Sequence, residues 1–277
     1  MKLLCIYHGN CADGFGAAWV VRKFYGDKVE FHEGVYQAAP PDVMGRDVLL
    51  VDFSYKRPVL VEMAARANTI TIIDHHKSAV EDLIDLPHNV IAMFDMEHSG
   101  AMLAWEHFFP GEEPPELLKR IEDRDLWKFK YENTRAVQAA VFSYPYDFNL
   151  WDSLMATDLK VLAGEGAAIE RKHFKDIKEF IKVAKQRGNI AGYDVPILNC
   201  PYCWSSDAGH IMGEGEPFAA CFWAVADGLV FSLRSAEEGV DVSEIATKFG
   251  GGGHKHAAGF KLSYDSAEYA LFVNKAE

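Results

Sequence analysis

Short apolar runs alternate with segments of helical spacing over the first 109 residues. Residues 3–7, 48–51, 69–73 and 90–94 are rich in apolar and β-branched side chains, which predicts four strands. Apolar residues recur at helical spacing in residues 16–25, 58–67 and 99–109, which predicts helices between and after the strands. Such strands, separated by helices, are typical of a parallel sheet covered on both faces. The pattern predicts an α/β fold that begins with a parallel-sheet domain flanked by helices.

The pattern changes after residue 113. Residues 113–188 are mostly helical in spacing, and a long charged helix at 166–187 is predicted to end at Gly188 and Asn189. Strand-like runs follow at 195–198, 218–225 and 229–233, then a short helix at 242–249, a glycine cluster and a last helix that begins at Asp265 and Ser266. We therefore predict two domains: residues 1–188, which include a helical linker region, and a smaller α/β domain at residues 189–277.

The amino-acid composition limits the kinds of molecule that the protein is expected to bind. The 277 residues include 28 Lys and Arg against 41 Asp and Glu, a net charge of −13, so stable binding to duplex DNA is not expected. A short anionic substrate requires cations or a local basic cluster in the pocket. We expect no membrane association, since apolar runs of the length of a membrane span are missing. Five scattered cysteines are typical of reduced thiols and predict a cytoplasmic protein.

Titratable side chains follow three of the predicted strands. The first strand ends at His8 with Asp13 close behind, the second at Asp52, and the third at Asp74, His75 and His76. Because the carboxyl ends of parallel strands meet at one edge of the sheet, these side chains are predicted to share one rim. An aspartate after a strand is often a turn or helix-capping residue, but three such strand ends together favour a ligand site.

Carboxylates and imidazoles without thiolates suit Mn²⁺, Mg²⁺ or Fe²⁺. Several carboxylates at one place repel each other unless cations lie between them. Two divalent cations bridged by an aspartate are the usual means of phosphoester hydrolysis. We therefore expect Mn²⁺, with two ions in the site, while Mg²⁺ or another divalent cation stays possible.

The ordered motifs resemble those of the DHH phosphoesterase superfamily with a C-terminal DHHA1 domain. They are His8-Gly-Asn-Cys-Ala-Asp13-Gly14, Val51-Asp52, Asp74-His75-His76, and Gly250-Gly-Gly-Gly253-His254 with Ala257-Ala258-Gly259. That superfamily includes RecJ-type single-strand exonucleases, nanoRNases and cyclic-dinucleotide phosphodiesterases. The resemblance covers most of the chain, and the helical middle is its least distinctive part.

The resemblance also implies roles for individual residues. Metal ligands would be His8, Asp13, Asp52 and His75, with Asp52 as the bridge. His76 would contact the scissile phosphate or protonate the leaving oxygen, and Asp74 would orient a histidine.

Two parts of the motif pattern leave choices open. A further metal aspartate is expected near residue 123, and Asp123 is preferred there over Asp125. Trp127, beside them, is the tryptophan best placed to stack on a base. In the first motif, Asn10 or Cys11 stands where the family has a second aspartate, which puts the affinity and number of metals in question.

The second domain offers a candidate substrate clamp. Gly251, Gly252 and Gly253 present backbone N–H groups without side chains, and such a loop can form an anion-binding nest beside His254. Arg234 follows the strand at 229–233, and with the glycine loop it resembles the family's substrate-binding residues. An ion pair with Glu237 or Asp241 is the structural alternative for Arg234.

These observations predict a metal-dependent phosphodiesterase. Its substrates would be short or single-stranded oligonucleotides or linear or cyclic dinucleotides, and it would release nucleoside monophosphates. A hydrolase of a small phosphate, such as pyrophosphate or a nucleotide 3′-phosphate, is the first alternative. The second is a non-catalytic nucleotide-binding regulator. DNA or RNA specificity and the choice between monomer and homodimer stay open.

Overall fold

A computed structural model describes residues 3–269. These form two compact units that divide after Glu170, inside a long helix, and each unit is described here by itself. The predicted division into 1–188 and 189–277 stays a prediction. The predicted last helix, led by Asp265 and Ser266, lies largely outside the described residues. None of the described helices is both long and apolar enough to cross a membrane.

The first unit is built on a five-stranded parallel sheet. Its strands are β1 (Leu3–His8), β2 (Val29–Gly34), β3 (Asp47–Val51), β4 (Thr69–Asp74) and β5 (Val90–Phe94), in the spatial order β2-β1-β3-β4-β5. All four strand pairs are parallel. The four predicted strands are confirmed, and β2 is an additional edge strand. Its sequence alternates apolar and charged side chains because one face of this edge is more exposed.

Helices cover the sheet and extend the unit. They are α1 (Ala12–Tyr25), α2 (Arg57–Ala64), α3 (Lys77–Asp82), α4 (Gly100–Phe108), α5 (Glu116–Asp125), α6 (Thr134–Val141), α7 (Phe148–Ala156) and α8 (Leu159–Ala184). Alternate residues of each strand enter opposite cores. On β1, Cys5 joins a core with α1 and α4, whereas Leu4 and Ile6 join a second core with α2. Burial on both faces explains why these strands are apolar along their length.

The second unit contains a mixed six-stranded sheet. Its strands are β6 (Gln186–Ile190), β7 (Tyr193–Asn199), β8 (Ala219–Val225), β9 (Gly228–Arg234), β10 (Gly252–His254) and β11 (Ala257–Ser263), in the order β10-β11-β9-β8-β7-β6. The pair β7–β8 is parallel and the other pairs are antiparallel. Two helices accompany the sheet, α9 (Ser205–Gly213) and α10 (Val242–Lys248). The predicted α/β class is confirmed.

The predicted helix end at Gly188 and Asn189 is wrong. The helix α8 ends at Ala184, and both residues lie in β6, where Gly188 pairs with Val195. A Cβ on Gly188 would lie 2.7 Å from Ile197 Cδ1. Gly188 therefore permits the close approach of Ile197 within the sheet. Because glycine is also common after the end of a helix, its presence here led to the wrong prediction.

Candidate metal centre

Strand register aligns the three predicted strand ends. Tyr7 pairs with Val51, and Val51 pairs with Ile73. The next residue of each strand is His8, Asp52 or Asp74, so all three leave the sheet at the same level of one edge. The predicted shared rim is present in the first unit.

Asp52 is the central residue of this rim, since β3 lies between β1 and β4, and 1% of its surface is exposed. Its backbone is left-handed, with φ of 53°, a conformation that costs an aspartate free energy and turns its carboxylate out of the line of β3. His75 Nε2 lies 3.0 Å from Asp52 Oδ1, and His8 Nδ1 lies 3.5 Å from Asp52 Oδ2. One carboxylate thus faces imidazoles from two strands.

His75 brings three carboxylates together. Besides Asp52, its Nε2 lies 3.7 Å from Asp13 Oδ2 and 3.6 Å from Asp125 Oδ2. Asp13 comes from the first turn of α1 and Asp125 from the last residue of α5. Four separate elements therefore supply the three carboxylates and the one imidazole of this group.

The first residues of α4 hold Asp13 in place. Gly100 N donates to Asp13 Oδ2 at 2.7 Å, and Ala101 N donates to Oδ1 at 3.1 Å. A helix N-terminus favours a carboxylate because its N–H groups point at the anion. Gly100 is needed for this approach, since a Cβ there would lie 2.4 Å from Asp52 Cβ. The sequence analysis did not identify Ser99 and Gly100, although a serine before a helix is a usual cap signal.

Burial and mutual repulsion disfavour the charged forms of Asp13 and Asp125. Burial raises the pKa of Asp13 well above its ordinary value, and the charges of Asp52 and Asp125 raise it further. Burial also raises the pKa of Asp125. Burial opposes ionisation of Asp52 as well, but hydrogen bonding to His75 and His8 outweighs burial and lowers the pKa of Asp52. A cation in the cluster would favour the charged form of all three carboxylates.

The residues fit divalent cations. Both oxygens of Asp52 are buried and accept no well-aligned hydrogen bond from the described residues. Two sets of potential ligand atoms lie within 4.8 Å of one another, His8 with Asp52 and His76, and Asp13 with Asp52 and His75. Asp52 belongs to both sets, and oxygen and imidazole donors suit Mn²⁺ or Mg²⁺. Two adjacent ligand sets that share one carboxylate are what a two-cation site requires.

Asp74 acts on the two histidines that follow it. It is fully buried, and its Oδ1 lies 2.7 Å from His76 Nδ1 and accepts a hydrogen bond from His75 N at 2.8 Å. A carboxylate at Nδ1 places the proton of a neutral His76 on that nitrogen. Asp74 therefore orients the His76 ring, and in the neutral form Nε2 is the nitrogen that carries no proton.

The preference for Asp123 over Asp125 has no support in the geometry. The Asp123 carboxylate accepts hydrogen bonds from Lys130 N at 2.7 Å, Tyr131 N at 3.2 Å and Thr134 Oγ1 at 2.6 Å. The hydrogen bonds of this carboxylate are thus made with the loop that follows α5 and with the start of α6. Asp125, with 27% of its side chain exposed, faces His75. We therefore place Asp125, and not Asp123, among the candidate ligands.

The first motif has no second carboxylate at the rim. Asn10 is exposed and forms a left-handed turn with φ of 54°, a conformation that asparagine adopts readily. Cys11 precedes α1, and burial, with Asp52 and Asp125 adding to it, raises the pKa of its thiol well above the ordinary value. Cys11 is thus a neutral group beside the carboxylates at neutral pH.

Tyr36 is a further residue beside the rim that the sequence analysis missed. Its ring centroid lies 5.2 Å from that of His8 and 6.0 Å from that of His76, both in edge-on arrangements. The tyrosine follows β2, and because that edge strand was not predicted, the position of the loop after it was not either.

The residues of the predicted clamp lie in the second unit. Arg234 and His254 occupy β9 and β10, and both pair with Ala257 of the intervening strand β11. Arg234 Nη1 donates to Ser232 Oγ at 3.0 Å and to Leu233 O at 2.8 Å. A Cβ on Gly251 would lie 2.0 Å from Gly259 O, so close strand packing requires that glycine. The anion-binding role of Gly251, Gly252 and Gly253 stays a prediction.

Comparisons with known proteins agree with this architecture. A model of the DHHA1 domain matches residues 209–276. The uncharacterized protein R106 of Acanthamoeba polyphaga mimivirus is 31% identical over 284 residues, which cover 93% of this chain and 67% of the viral protein.

Three solved structures share the fold at low sequence identity. The DHH domain of a member of the s1p family of ribosomal proteins has a TM-score of 0.58 at 14% identity, over 99% of this chain and 86% of that one. An exopolyphosphatase-related protein from Bacteroides fragilis has a TM-score of 0.56 at 14% identity, over 99% and 91%. RecJ from Thermus thermophilus in complex with Mn²⁺ has a TM-score of 0.51 at 17% identity, over 99% of this chain and 51% of RecJ. These findings place the chain in one family with the viral protein, assign residues 209–276 to the DHHA1 domain, and show that the chain shares the fold of the DHH domain structures.

Proposed function

We propose that this protein is a Mn²⁺-dependent phosphodiesterase. It hydrolyses short or single-stranded oligonucleotides or dinucleotides and releases nucleoside monophosphates. The observation that carries the proposal is Asp52, a buried carboxylate whose two oxygens accept no well-aligned hydrogen bond from the described residues and belong to two ligand sets. Mn²⁺ is also the cation named with the RecJ structure that shares the fold.

Five side chains of the first unit would hold two cations. They are His8, Asp13, Asp52, His75 and Asp125, with Asp52 between the two positions. Bound divalent cations would supply a Lewis acid for the phosphoryl oxygens and a nucleophile at neutral pH. The cations would also cancel the repulsion between the carboxylates and an anionic substrate, which a chain of net charge −13 otherwise disfavours.

His76 would act on the substrate. Asp74 holds Nδ1 of this histidine at 2.7 Å, so His76 gives or takes a proton at Nε2. In its protonated form, His76 would give the Nε2 proton to the leaving oxygen of the scissile phosphodiester and become neutral, or Nε2–H would donate a hydrogen bond to the phosphate. In the second unit, Arg234, His254 and the glycines 251–253 would bind the phosphate or base of the substrate.

Hydrolysis by metal-stripped protein, with Mn²⁺ or with chelator, tests the proposal. The panel contains a 5′-phosphorylated dinucleotide, a single strand of about 20 nucleotides, a cyclic dinucleotide and pyrophosphate, with products separated by chromatography. Mn²⁺-dependent release of mononucleotides from any of the first three is the expected result. Turnover of pyrophosphate alone would replace the proposal with a small-phosphate hydrolase. No turnover by protein that binds Mn²⁺ would favour a nucleotide-binding regulator.

A pair of variants on one strand sharpens this test. Asp52→Asn removes the shared carboxylate charge after the end of β3 and is expected to abolish turnover. Asp47→Asn changes an aspartate at the start of the same strand, on the opposite edge of the sheet, and is expected to retain turnover. Equal activity of the two variants would contradict the metal assignment.

A further inference from the structure

Aromatic rings and arginine side chains alternate next to the candidate metal centre. The Arg135 guanidinium lies 3.7 Å from the ring centroid of Phe129 and 5.3 Å from that of Trp127. The Arg124 guanidinium lies 4.2 Å from the ring centroid of Trp127 and 6.0 Å from that of Phe142. We call this series the cation–aromatic ladder: Phe129, Arg135, Trp127, Arg124 and Phe142. All five residues belong to the first unit.

The ladder lies in a segment of nearly balanced charge within an acidic chain, because five basic side chains stand against the four acidic ones of Glu122, Asp123, Asp125 and Glu132. Between residues 120 and 142 the sequence contains five basic residues: Arg120, Arg124, Lys128, Lys130 and Arg135. Arg120 also stacks on Tyr131, with its guanidinium 4.2 Å from the ring centroid. Phe142 at one end of the ladder is 50% exposed, and Tyr131 is 43% exposed. The segment therefore presents both cations and open aromatic faces to solvent.

The loop that carries the ladder is held in an unusual backbone conformation. Trp127 and Phe129 have φ of 55° and 45°, which bulky residues rarely adopt. Asp123 compensates for this strain, because its carboxylate accepts hydrogen bonds from Lys130 N and Tyr131 N and its carbonyl accepts one from Lys128 N at 2.9 Å. The buried Asp123 thus fixes the loop, which turns Trp127 and Phe129 towards Arg135.

The cation–aromatic ladder and the candidate metal centre contain residues that are adjacent in sequence. Arg124 directly precedes Asp125, whose Oδ2 lies 3.6 Å from His75 Nε2. Further along, a cleft of about 310 Å³ is lined by Phe129, Tyr131 and Arg135, together with the acidic Glu170. A chain of phosphates that passes the metal centre would therefore meet a surface of guanidinium groups and rings in the same unit.

We propose that the cation–aromatic ladder binds the part of a single-stranded nucleic acid that lies beyond the scissile phosphate. Stacking holds the guanidinium of Arg135 next to two rings, and the planar guanidinium group is the cation whose geometry matches a phosphate. The exposed rings of Phe142 and Tyr131 offer faces for unpaired bases, which stack on aromatic side chains irrespective of sequence. The proposal rests on the proposed function and adds that a strand is preferred to a free nucleotide.

Binding of a strand that resists hydrolysis separates this proposal from turnover. Fluorescence anisotropy with a labelled phosphorothioate strand of about 12 nucleotides, in Mn²⁺, measures affinity for wild type and for Arg135→Gln and Phe142→Ala. Phe142→Ala is expected to weaken binding about tenfold through the loss of one stacked base. Arg135→Gln is expected to weaken binding and to reduce the salt dependence of log K by about 0.7, the share of one phosphate contact.

Two controls identify what the ladder contributes. Arg22→Gln removes another arginine that lies over a ring, 5.3 Å from the centroid of Phe148, on α1 away from the ladder. It is expected to bind the strand like wild type. Arg135→Lys keeps the charge without the guanidinium plane and is expected to recover only part of the affinity. Melting curves of each variant establish that the fold is kept, and the exposed Phe142 gives a second variant if Arg135→Gln unfolds.

Three outcomes would overturn the ladder as a strand-binding surface. They are absence of strand binding by wild type, equal affinity of Arg22→Gln and the ladder variants, and an equal loss of affinity for polyglutamate, which would indicate an acidic peptide as the occupant. Failure of the proposed function gives a different result: ladder-dependent binding of the strand without Mn²⁺-dependent hydrolysis of an ordinary strand.

Discussion

Asp52 and Asp125 are similar residues in different electrostatic positions. Asp52 has two histidines close by, and its pKa is lowered although burial opposes this. The pKa of Asp125 is raised, chiefly by burial, so folding of the metal-free protein favours the neutral form of this side chain. Its charge therefore destabilises the metal-free protein and becomes favourable when a cation binds.

Asp125→Asn is expected to separate stability from metal binding. A carboxyl group whose pKa is raised in the folded state lowers the free energy of unfolding of the protein. This loss develops as the pH rises from the ordinary pKa of about 3.9 to the higher folded value. The neutral amide avoids this loss, so the metal-free variant should melt at a higher temperature than wild type at pH 7. Its Mn²⁺ affinity should fall about 10- to 100-fold, by analogy with other changes around metal ligands.

Melting curves with and without Mn²⁺ measure both effects. Glu132→Gln, an exposed acid in the loop after α5, is the matched control and should change neither. A metal-free Asp125→Asn protein that melts below wild type would contradict the electrostatic argument. An unchanged Mn²⁺ affinity would remove Asp125 from the candidate ligands.

At the scale of elements, α4 positions two carboxylates through its first turn. Gly100→Ala would place a Cβ 2.4 Å from Asp52 Cβ and 2.7 Å from Asp52 Oδ1. The helix start and Asp52 must then separate, which also disturbs the hydrogen bonds to Asp13. We expect at least a tenfold loss of Mn²⁺ affinity, measured by calorimetric titration.

Gly164→Ala is the control for that substitution. Gly164 lies in α8, and no described atom lies within 4 Å of the Cβ it would gain. Alanine in a helix interior should stabilise the protein by about 0.5–1 kcal/mol and leave Mn²⁺ affinity unchanged. Equal affinities for both alanine variants would show that the approach of α4 to Asp52 is not needed for binding.

The loop between α5 and α6 depends on Asp123. Thr134→Val removes the hydroxyl that donates to Asp123 Oδ2 at 2.6 Å and keeps the shape of the side chain. Because this buried hydrogen bond involves a charged group, the free energy of unfolding should fall by about 2 kcal/mol in urea titrations. Thr157→Val removes an exposed hydroxyl that donates to Ser153 O, and its effect should stay within about 0.5 kcal/mol. Similar effects of both variants would mean that Asp123 does not fix the loop.

At the scale of the whole molecule, binding of a divalent cation should raise the stability of this acidic folded protein. A divalent ion that binds only the folded protein stabilises it by about 2.7 kcal/mol at 100 times its dissociation constant. Wild type should therefore melt at a higher temperature in excess Mn²⁺, and a chelator should reverse the shift. Asp52→Asn should show little of it. A shift of equal size in both proteins would place the stabilising ion elsewhere.

The position of the candidate ligands at one edge of the sheet could be predicted because it depends only on residues that are neighbours in sequence. Each apolar strand ends at a titratable residue, and a parallel sheet brings strand ends to one edge whatever the details of packing. His8, Asp52 and Asp74 could therefore be predicted from their places at the carboxyl ends of β1, β3 and β4. The register Tyr7 with Val51 and Ile73 gives the alignment that the pattern predicts.

The choice between Asp123 and Asp125 could not be predicted in this way. Side chains two residues apart on a helix point in nearly opposite directions, since each residue turns the helix by about 100°. Either aspartate could therefore face the sheet, depending on how α5 is rotated about its axis. The packing of Leu117, Leu118 and Ile121 into the core decides that rotation.

By itself, the sequence determined the α/β class, the superfamily motifs and the edge of the sheet where the candidate ligands lie, because these depend on periodicity and on residues next to one another. Tertiary structure decided which aspartate faces His75, what Gly188 is for, and that arginines and rings alternate beyond Asp125. The ladder depends on left-handed backbone at Trp127 and Phe129, which intrinsic preferences disfavour. The hydrogen bonds of the buried Asp123 stabilise that conformation, and they join residues that the fold brings together.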